Sequence, residues 1–145
     1  HKESGMTLRI DSLTMAAGLA VLIATGPALA ADGNAENGQK LFFGTAQCKT
    51  CHSVKAGQKM IGPSMFGVVG RKCGTAEKQR FSSNYKAACE KAPFAWDEAG
   101  LDGYLEDPTR YISKIAGQTR TSPMTRKTPK AQDRADIIAY LKTLK

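Results

Sequence analysis

Two cysteines and a histidine lie close together in the segment Cys48-Lys49-Thr50-Cys51-His52. At this C-x-x-C-H spacing, both thiols can add to vinyl groups of one porphyrin, and the histidine that follows can bind the iron. The motif therefore predicts one covalent haem c, with Cys48 and Cys51 as attachment sites and His52 as an axial iron ligand. Haem performs redox chemistry that no side chain performs alone, so electron transfer is the expected function.

Two other uses of a C-x-x-C pair fit the chain less well. A zinc ribbon needs a second such pair, but the remaining cysteines, Cys73 and Cys89, are 16 positions apart. A thioredoxin-like pair follows a buried strand. Residues 37–47 are instead polar, contain glycine and place their apolar residues at helical spacing.

The N-terminal residues have the pattern of a secretory signal. From about Met6, a positive charge precedes the apolar residues 13–24, and Ala28-Leu29-Ala30 suits cleavage by a signal peptidase. We expect a leader of residues 1–30 and a single domain of residues 31–145, exported to the periplasm. The alternative is an uncleaved anchor, but the apolar run is shorter than the ~20 residues of a membrane span. We therefore expect no stable membrane insertion after cleavage.

Export also bears on the two remaining cysteines. In an oxidising compartment, Cys73 and Cys89 are expected to form a disulfide, the alternative being two free buried thiols. Closing a loop of this length is worth about 3 kcal/mol if the entropy of the unfolded chain dominates. We interpret the pair as a structural crosslink with no catalytic role.

The chain is basic, with a formal net charge of +8. Such a charge suits nucleic acid, anionic lipid or an acidic protein partner. The chain has no recognisable nucleic-acid module, so we predict acidic docking surfaces on redox proteins; a charge that serves only solubility is the alternative. The candidates for a cationic ring around the haem edge are Lys49, Lys55, Lys59, Lys72, Arg120, Arg126 and Lys127.

The elements that position the haem motif are predicted to be helices. Residues 34–46 place Leu41, Phe42 and Ala46 on one side of a first helix. A long irregular stretch follows the haem motif, where Gly-Pro and further glycines recur.

Three further helices are predicted from capping residues. Asp97 is a good N-cap for a helix that ends before Asp107, and Pro108 occupies the first position of the next helix. Thr128-Pro129 is predicted to open the last helix in the same way, and Ile137 begins its apolar stripe. Because strand signals are weak, we predict an all-α fold of about five helices around one haem.

The second axial ligand is expected to be a methionine, since a thioether opposite histidine raises the reduction potential. Met65 lies in an apolar segment and is explained as core. Met60 is only eight residues after His52, where the chain still runs along the proximal side. Met124 lies in the polar segment 121–127, where packing gives it no role. We therefore predict His52 and Met124 as the iron ligands.

In these segments the chain resembles class I c-type cytochromes, most of all bacterial cytochrome c2 and mitochondrial-like cytochrome c. The resemblance spans residues 34–145. It is carried by Gly38 and Phe42, by the Gly-Pro segment 61–72, by Trp96 with the segment 101–111, and by the last helix at 136–144. It implies the small cytochrome c fold, and the chain is expected to be a monomeric electron carrier and not an enzyme.

The resemblance also implies roles for individual residues. The Pro63 carbonyl would accept a hydrogen bond from His52 Nδ1, which fixes the ring. Arg71 and Trp96 would face the haem propionates, and Tyr104 would approach the Met124 sulfur.

The chain departs from the family pattern in two places. Phe81 stands where many relatives have a tyrosine that hydrogen-bonds a propionate, and Tyr85 is a possible replacement. Twelve residues separate Tyr111 from Met124, more than in the mitochondrial pattern.

The function expected from these observations is a soluble periplasmic one-electron carrier. It would shuttle electrons between a bc1-type complex or a periplasmic dehydrogenase and a terminal oxidase or photosynthetic reaction centre. The alternative is a haem enzyme or gas-binding sensor with an open or labile distal site.

Overall fold

The structure is a computed structural model that describes residues 32–145. The predicted leader and its cleavage site lie outside the described residues. Within them the chain forms five α-helices and one short 3-10 helix, and its only β-type pairing is a single bridge. The helices are α1 (Ala35–Phe43), α2 (Ser83–Lys91), α3 (Glu98–Glu106), α4 (Pro108–Ala116) and α5 (Ala131–Thr143), and the 3-10 helix is Cys48–Thr50. The prediction of an all-α fold with about five helices is confirmed.

Helix α1 is shorter than predicted. The Asn34 side chain caps it by accepting a hydrogen bond from the backbone N–H of Asn37 at 2.8 Å. The helix ends at Phe43, because the next residue, Gly44, leaves the helical region of backbone conformation. The prediction of a helix over residues 34–46 is therefore wrong at its C-terminal end.

The capping predictions for α3 and α4 are confirmed. Asp97 accepts a hydrogen bond from the backbone N–H of Gly100 at 2.7 Å, at the start of α3. Asp107 does the same for Arg110 at 3.0 Å, and Pro108 occupies the first position of α4. A proline is tolerated there because the first helical N–H groups have no partner inside the helix.

The last helix begins later than predicted. It starts at Ala131 because the guanidinium of Arg134 turns back to the preceding segment and donates to the carbonyls of Thr128 and Pro129, at 3.1 and 2.8 Å. The Thr128 N–H in turn donates to the Leu105 carbonyl at 2.8 Å. These bonds hold the segment outside the helix, so the expected start at Thr128-Pro129 is wrong.

The contact between α1 and α5 forms one side of the core. A Cβ atom on Gly38 would lie 1.9 Å from the Asp136 carbonyl oxygen, so only glycine allows the two backbones to come this close. Beside it, the buried rings of Phe42 and Tyr140 meet edge to face, with centroids 5.7 Å apart. Two segments about 100 residues apart in the chain are thereby packed together.

The predicted disulfide is confirmed. Cys73 and Cys89 are bonded, with Cα atoms 5.5 Å apart. The bond joins the irregular segment 52–82 to helix α2. This segment has little secondary structure to hold it in place, so the crosslink restrains a part of the chain that helix packing does not.

Candidate haem site

The two motif thiols lie on one tight turn. The N–H groups of Cys51 and His52 both donate to the Cys48 carbonyl, at 3.1 and 2.9 Å. This arrangement closes the 3-10 helix that carries the motif. Cys48 and Cys51 are both half-buried and unpaired. The turn thus carries two thiols three positions apart, with the histidine directly after the second.

Burial keeps the first thiol of the turn, that of Cys48, in its neutral form. Burial raises the pKa of the Cys48 thiol to about 11, so it stays protonated at neutral pH. Thiol–disulfide exchange and zinc binding both require the thiolate. Within residues 32–145, no three His, Cys, Asp or Glu side chains are grouped so that they could hold a metal ion. The turn therefore fits addition of S–H groups across vinyl double bonds better than a thioredoxin-like or zinc-ribbon role.

The His52 ring is held in one orientation and one tautomer. Its Nδ1 lies 2.8 Å from the Pro63 carbonyl oxygen, which can only accept a hydrogen bond. Nδ1 must therefore carry the hydrogen, and Nε2 keeps its lone pair. Burial lowers the pKa of His52 despite this hydrogen bond, so the imidazole is neutral at pH 7. A neutral, oriented imidazole with a free Nε2 is what an iron ligand requires.

Gly62 makes room for this ring. A Cβ atom at this position would lie 2.3 Å from Cε1 of His52. The Gly62 N–H also donates to the Cys51 carbonyl at 2.8 Å, which brings the Gly-Pro segment back onto the haem turn. The glycine next to Pro63 is therefore needed for close approach to the histidine.

The three methionines differ in their surroundings. Met124 is partly buried and packs against the hydrophobic core, as does Met65. Met60 is 41% exposed. The polar flanks of Met124 therefore do not prevent its burial, and among the alternatives Met60 is the one at the surface.

Ser122, beside Met124, is a buried hydrogen-bonding residue that sequence reasoning missed. It is buried, and its Oγ accepts a hydrogen bond from the Met124 N–H at 3.2 Å and lies 2.9 Å from the Tyr104 hydroxyl. Its own N–H donates to Thr109 Oγ1 at 3.1 Å. The structure thus places the Tyr104 hydroxyl on Ser122, two residues before Met124. A serine in a polar segment carries no sequence signal for this role.

The residues expected at the propionates lie in an aromatic cluster. Trp96 is buried, with its ring centroid 5.1 Å from that of Tyr104. Tyr85 is buried and stacks on Phe81 at a centroid distance of 4.8 Å, so it lies beside the position where the family tyrosine is missing. Burial raises the pKa of Tyr85, so its phenol stays a neutral hydrogen-bond donor. Arg71 donates to the Phe66 carbonyl.

These observations fit a covalently bound haem. The two half-buried thiols, the oriented imidazole and a partly buried thioether provide two attachment points and two candidate axial donors of the kinds that c-type haem uses. When bound, such a haem supplies reversible one-electron chemistry at its iron. The fold and site therefore define a small all-α, haem-binding domain.

Comparisons with known proteins identify the family. The cytochrome c family matches residues 35–145, and the chain belongs to this family. It is 47% identical to cytochrome c-550 of Novispirillum itersonii over 100 residues, which cover 68% of this chain and 89% of that protein. It is 34% identical to cytochrome c2 of Cereibacter sphaeroides over 146 residues, covering 94% and 95% of the two chains.

Comparison with solved structures supports the same family assignment. The ferricytochrome c2 of Rhodopseudomonas palustris superposes with a TM-score of 0.68 at 36% identity, covering 77% of this chain and 99% of that one. The cytochrome c2 of Paracoccus denitrificans gives a TM-score of 0.68 at 33% identity, covering 77% and 96%. The chain is thus a class I c-type cytochrome like bacterial cytochrome c2, its cofactor is one covalently attached haem c, and its family role is electron carriage.

One further observation concerns membranes. Among the helices of residues 32–145, none combines the length and the apolar character that a membrane span requires.

Proposed function

We propose that the protein is a soluble periplasmic one-electron carrier whose haem iron is bound by His52 and Met124. The observation that carries this proposal is a pair of side chains that could bind the iron, each in a segment fixed by a hydrogen bond. The His52 imidazole is held by the Pro63 carbonyl at 2.8 Å, and the Met124 backbone is held by Ser122 at 3.2 Å. Fixed ligands on both sides suit an iron that changes oxidation state with little rearrangement.

The haem would be attached through Cys48 and Cys51, the two unpaired cysteines of the described chain. Arg71, Tyr85 and Trp96 are proposed to meet its propionates. Their surroundings support this proposal because Trp96 is buried against Tyr104, Tyr85 is buried and stacked on Phe81, and Arg71 is partly buried.

The exposed lysines are proposed to guide docking to acidic redox partners. Lys49, Lys55, Lys59 and Lys72 are exposed, and none forms an ion pair within residues 32–145. Lys127 is already paired with Asp107 at 2.7 Å. Charges that steer association are screened by salt. We therefore expect the bimolecular rate of electron exchange with an acidic partner to fall steeply as salt rises, measured by stopped-flow absorbance; a rate independent of salt would contradict this docking mode.

The ligand assignment is tested by replacing Met124 with alanine. The haem should stay covalently attached, because its thioether bonds come from the cysteines. The weak far-red sulfur-to-iron band of the ferric protein should disappear, and the reduction potential should fall because a thioether favours ferrous iron. Absorbance spectroscopy and a redox titration measure both effects.

Met60→Ala and Met65→Ala are the matched controls. Both should keep the far-red band, and Met65→Ala should mainly lower stability because Met65 packs against the core. A Met124→Ala protein that kept the band and its potential would contradict the proposal. Loss of the band in Met60→Ala would instead assign the ligand to that residue. A wild-type protein without the band that bound carbon monoxide readily would favour the enzyme or sensor alternative.

A further inference from the structure

The partly buried basic side chains differ in their anionic partners. Among the lysines and arginines of residues 32–145, only Arg71, Arg120 and Arg134 are not exposed. Arg134 is paired with Asp102 at 2.7 Å. Arg71 and Arg120 have no carboxylate partner within that part of the chain. Two guanidinium groups are therefore partly removed from water without a compensating negative charge, which is costly.

Arg120 also has an N–H group without an acceptor. Its Nη1 donates to the Asn84 side-chain oxygen at 3.2 Å, but its Nε is buried with no hydrogen-bond partner. The backbone of Arg120 is fixed by Ser113, whose Oγ accepts from the Arg120 N–H at 3.0 Å and donates to its carbonyl at 2.9 Å. The guanidinium is thus held in place by neutral groups, and no negative charge compensates it within residues 32–145.

A hydrogen bond links Arg120 to α2, the helix that carries Tyr85, which is one of the residues proposed to meet the propionates. Its partner Asn84 precedes the buried Tyr85 on α2, and the Asn84 amide also donates to Thr121 Oγ1 at 2.9 Å. Burial lowers the pKa of the Arg71 guanidinium, while the neighbouring Tyr85 raises it in part. Arg71 thus neighbours Tyr85 itself, and Arg120 is bonded to the residue before it on α2; neither guanidinium has an anionic partner within residues 32–145.

We propose that Arg120 is a counterion and positioning residue for a haem propionate, complementing Arg71. A haem has two propionate carboxylates, and guanidinium groups bind carboxylates with charge-assisted hydrogen bonds. The proposal rests on haem attachment at the motif proposed above. It takes Arg120 out of the docking ring expected from sequence, because its guanidinium is engaged inside the protein.

The test compares the reduction potential of the haem-loaded Arg120→Gln protein with that of the wild type. A nearby positive charge disfavours the extra positive charge of ferric haem, so its removal should lower the potential. At the wild-type midpoint, we expect the ratio of reduced to oxidised protein to fall about three- to tenfold. The shift should persist at high salt, because a partly buried pair is screened much less than an exposed one.

Three variants serve as controls. Arg110→Gln removes an exposed arginine that is paired with Glu106, and any shift it causes should vanish at high salt. Arg120→Lys keeps the charge and should recover most of the potential. Asn84→Ala breaks the hydrogen bond to Arg120 but keeps the charge, so it should shift the potential less than Arg120→Gln.

Two results would overturn the proposal. One is an unchanged potential in Arg120→Gln, or a shift that disappears with salt as in Arg110→Gln. The other is loss of the far-red band in Arg120→Gln, which would make Arg120 an anchor of the methionine segment, because loss of the methionine ligand lowers the potential by itself. A wild-type protein lacking the band would contradict the Met124 ligand instead.

Discussion

The α1–α5 contact and the segment that carries Met124 are held together in different ways. Helix α1 and helix α5 meet at close-packed backbones and buried rings, around Gly38 and Phe42. The distal segment, defined as residues 117–130, contains no helix and is fixed by side-chain hydrogen bonds, above all at Ser122. Close packing tolerates little change in volume, whereas a hydrogen-bonded segment can lose one bond and stay folded. Stability and iron ligation are therefore expected to be separable in this protein.

The largest effect is expected from Gly38→Ala. The added Cβ would lie 1.9 Å from the Asp136 carbonyl oxygen, so the two helices must move apart. We expect a loss of about 3 kcal/mol in the free energy of unfolding, measured by urea denaturation of the haem-loaded protein. Molecules that remain folded should keep the far-red band.

Lys40→Ala on the same helix is the control for Gly38→Ala. It removes only an exposed ion pair with Glu36 at 2.8 Å, so its effect on stability should be small. Equal stabilities for Gly38→Ala and Lys40→Ala would show that the helices are not in close contact.

An intermediate effect is expected from acid, acting through Asp136. Hydrogen bonds from the Asn34 N–H, the Asn37 side chain and the Gln132 side chain hold the pKa of this carboxyl below its ordinary value. Its contribution to stability is present above the unfolded pKa of about 3.9, and it is lost as the pH falls through the lower folded pKa. Stability should therefore decline as the pH is lowered below about 4, measured by urea denaturation from pH 7 to pH 2.

The variant Asp136→Asn should lose about 1–3 kcal/mol at pH 7, because it loses the negative charge and replaces one of the two acceptor oxygens that serve three donors with an amide donor. Its stability should then depend less on pH in the acid range than that of the wild type. Asp133→Asn, on the same helix, should keep the wild-type dependence on pH. If Asp136→Asn and the wild type lost stability in parallel on acidification, the carboxyl would not be the titrating group.

The smallest effect on stability is expected from Ser122→Ala. It leaves the Met124 N–H and the Tyr104 hydroxyl without their shared partner, at a cost of about 1 kcal/mol. The far-red band should nevertheless disappear at a lower temperature than the global unfolding signal, because the distal segment is loosened first. Absorbance and circular dichroism during heating separate the two events.

Ser122→Thr should restore the bond, and Thr125→Ala, at an exposed position, should behave as the wild type. Should the band and the unfolding signal of Ser122→Ala disappear together, the distal segment and the helices would form one cooperative unit.

The parts of this protein that could be predicted from sequence are those decided by neighbouring residues. The haem turn and the caps at Asp97 and Pro108 depend on contacts within about four positions, so their motifs are readable in the chain. The start of α5 was mispredicted because Arg134 reaches back to the segment before the helix. Its long side chain overrides a local capping pattern.

The distal side was predictable only in part. Met124 could be singled out from its polar surroundings, but Ser122 and Arg120 could not be assigned roles. Their partners come from α2, α3 and α4, at separations of 18 residues for Tyr104–Ser122 and 36 for Asn84–Arg120. The sequence pattern of a single segment does not indicate contacts between residues so far apart in the chain.

The contact between α1 and α5 also imposes an order of events on the folding chain. Helix α5 begins about 80 residues after Cys51, so this contact cannot form until the chain has folded back over that distance. Until then the motif thiols, which are half-buried in the folded protein, are more open to whatever delivers the haem. The long separation between the motif and α5 thus keeps the attachment site open during folding.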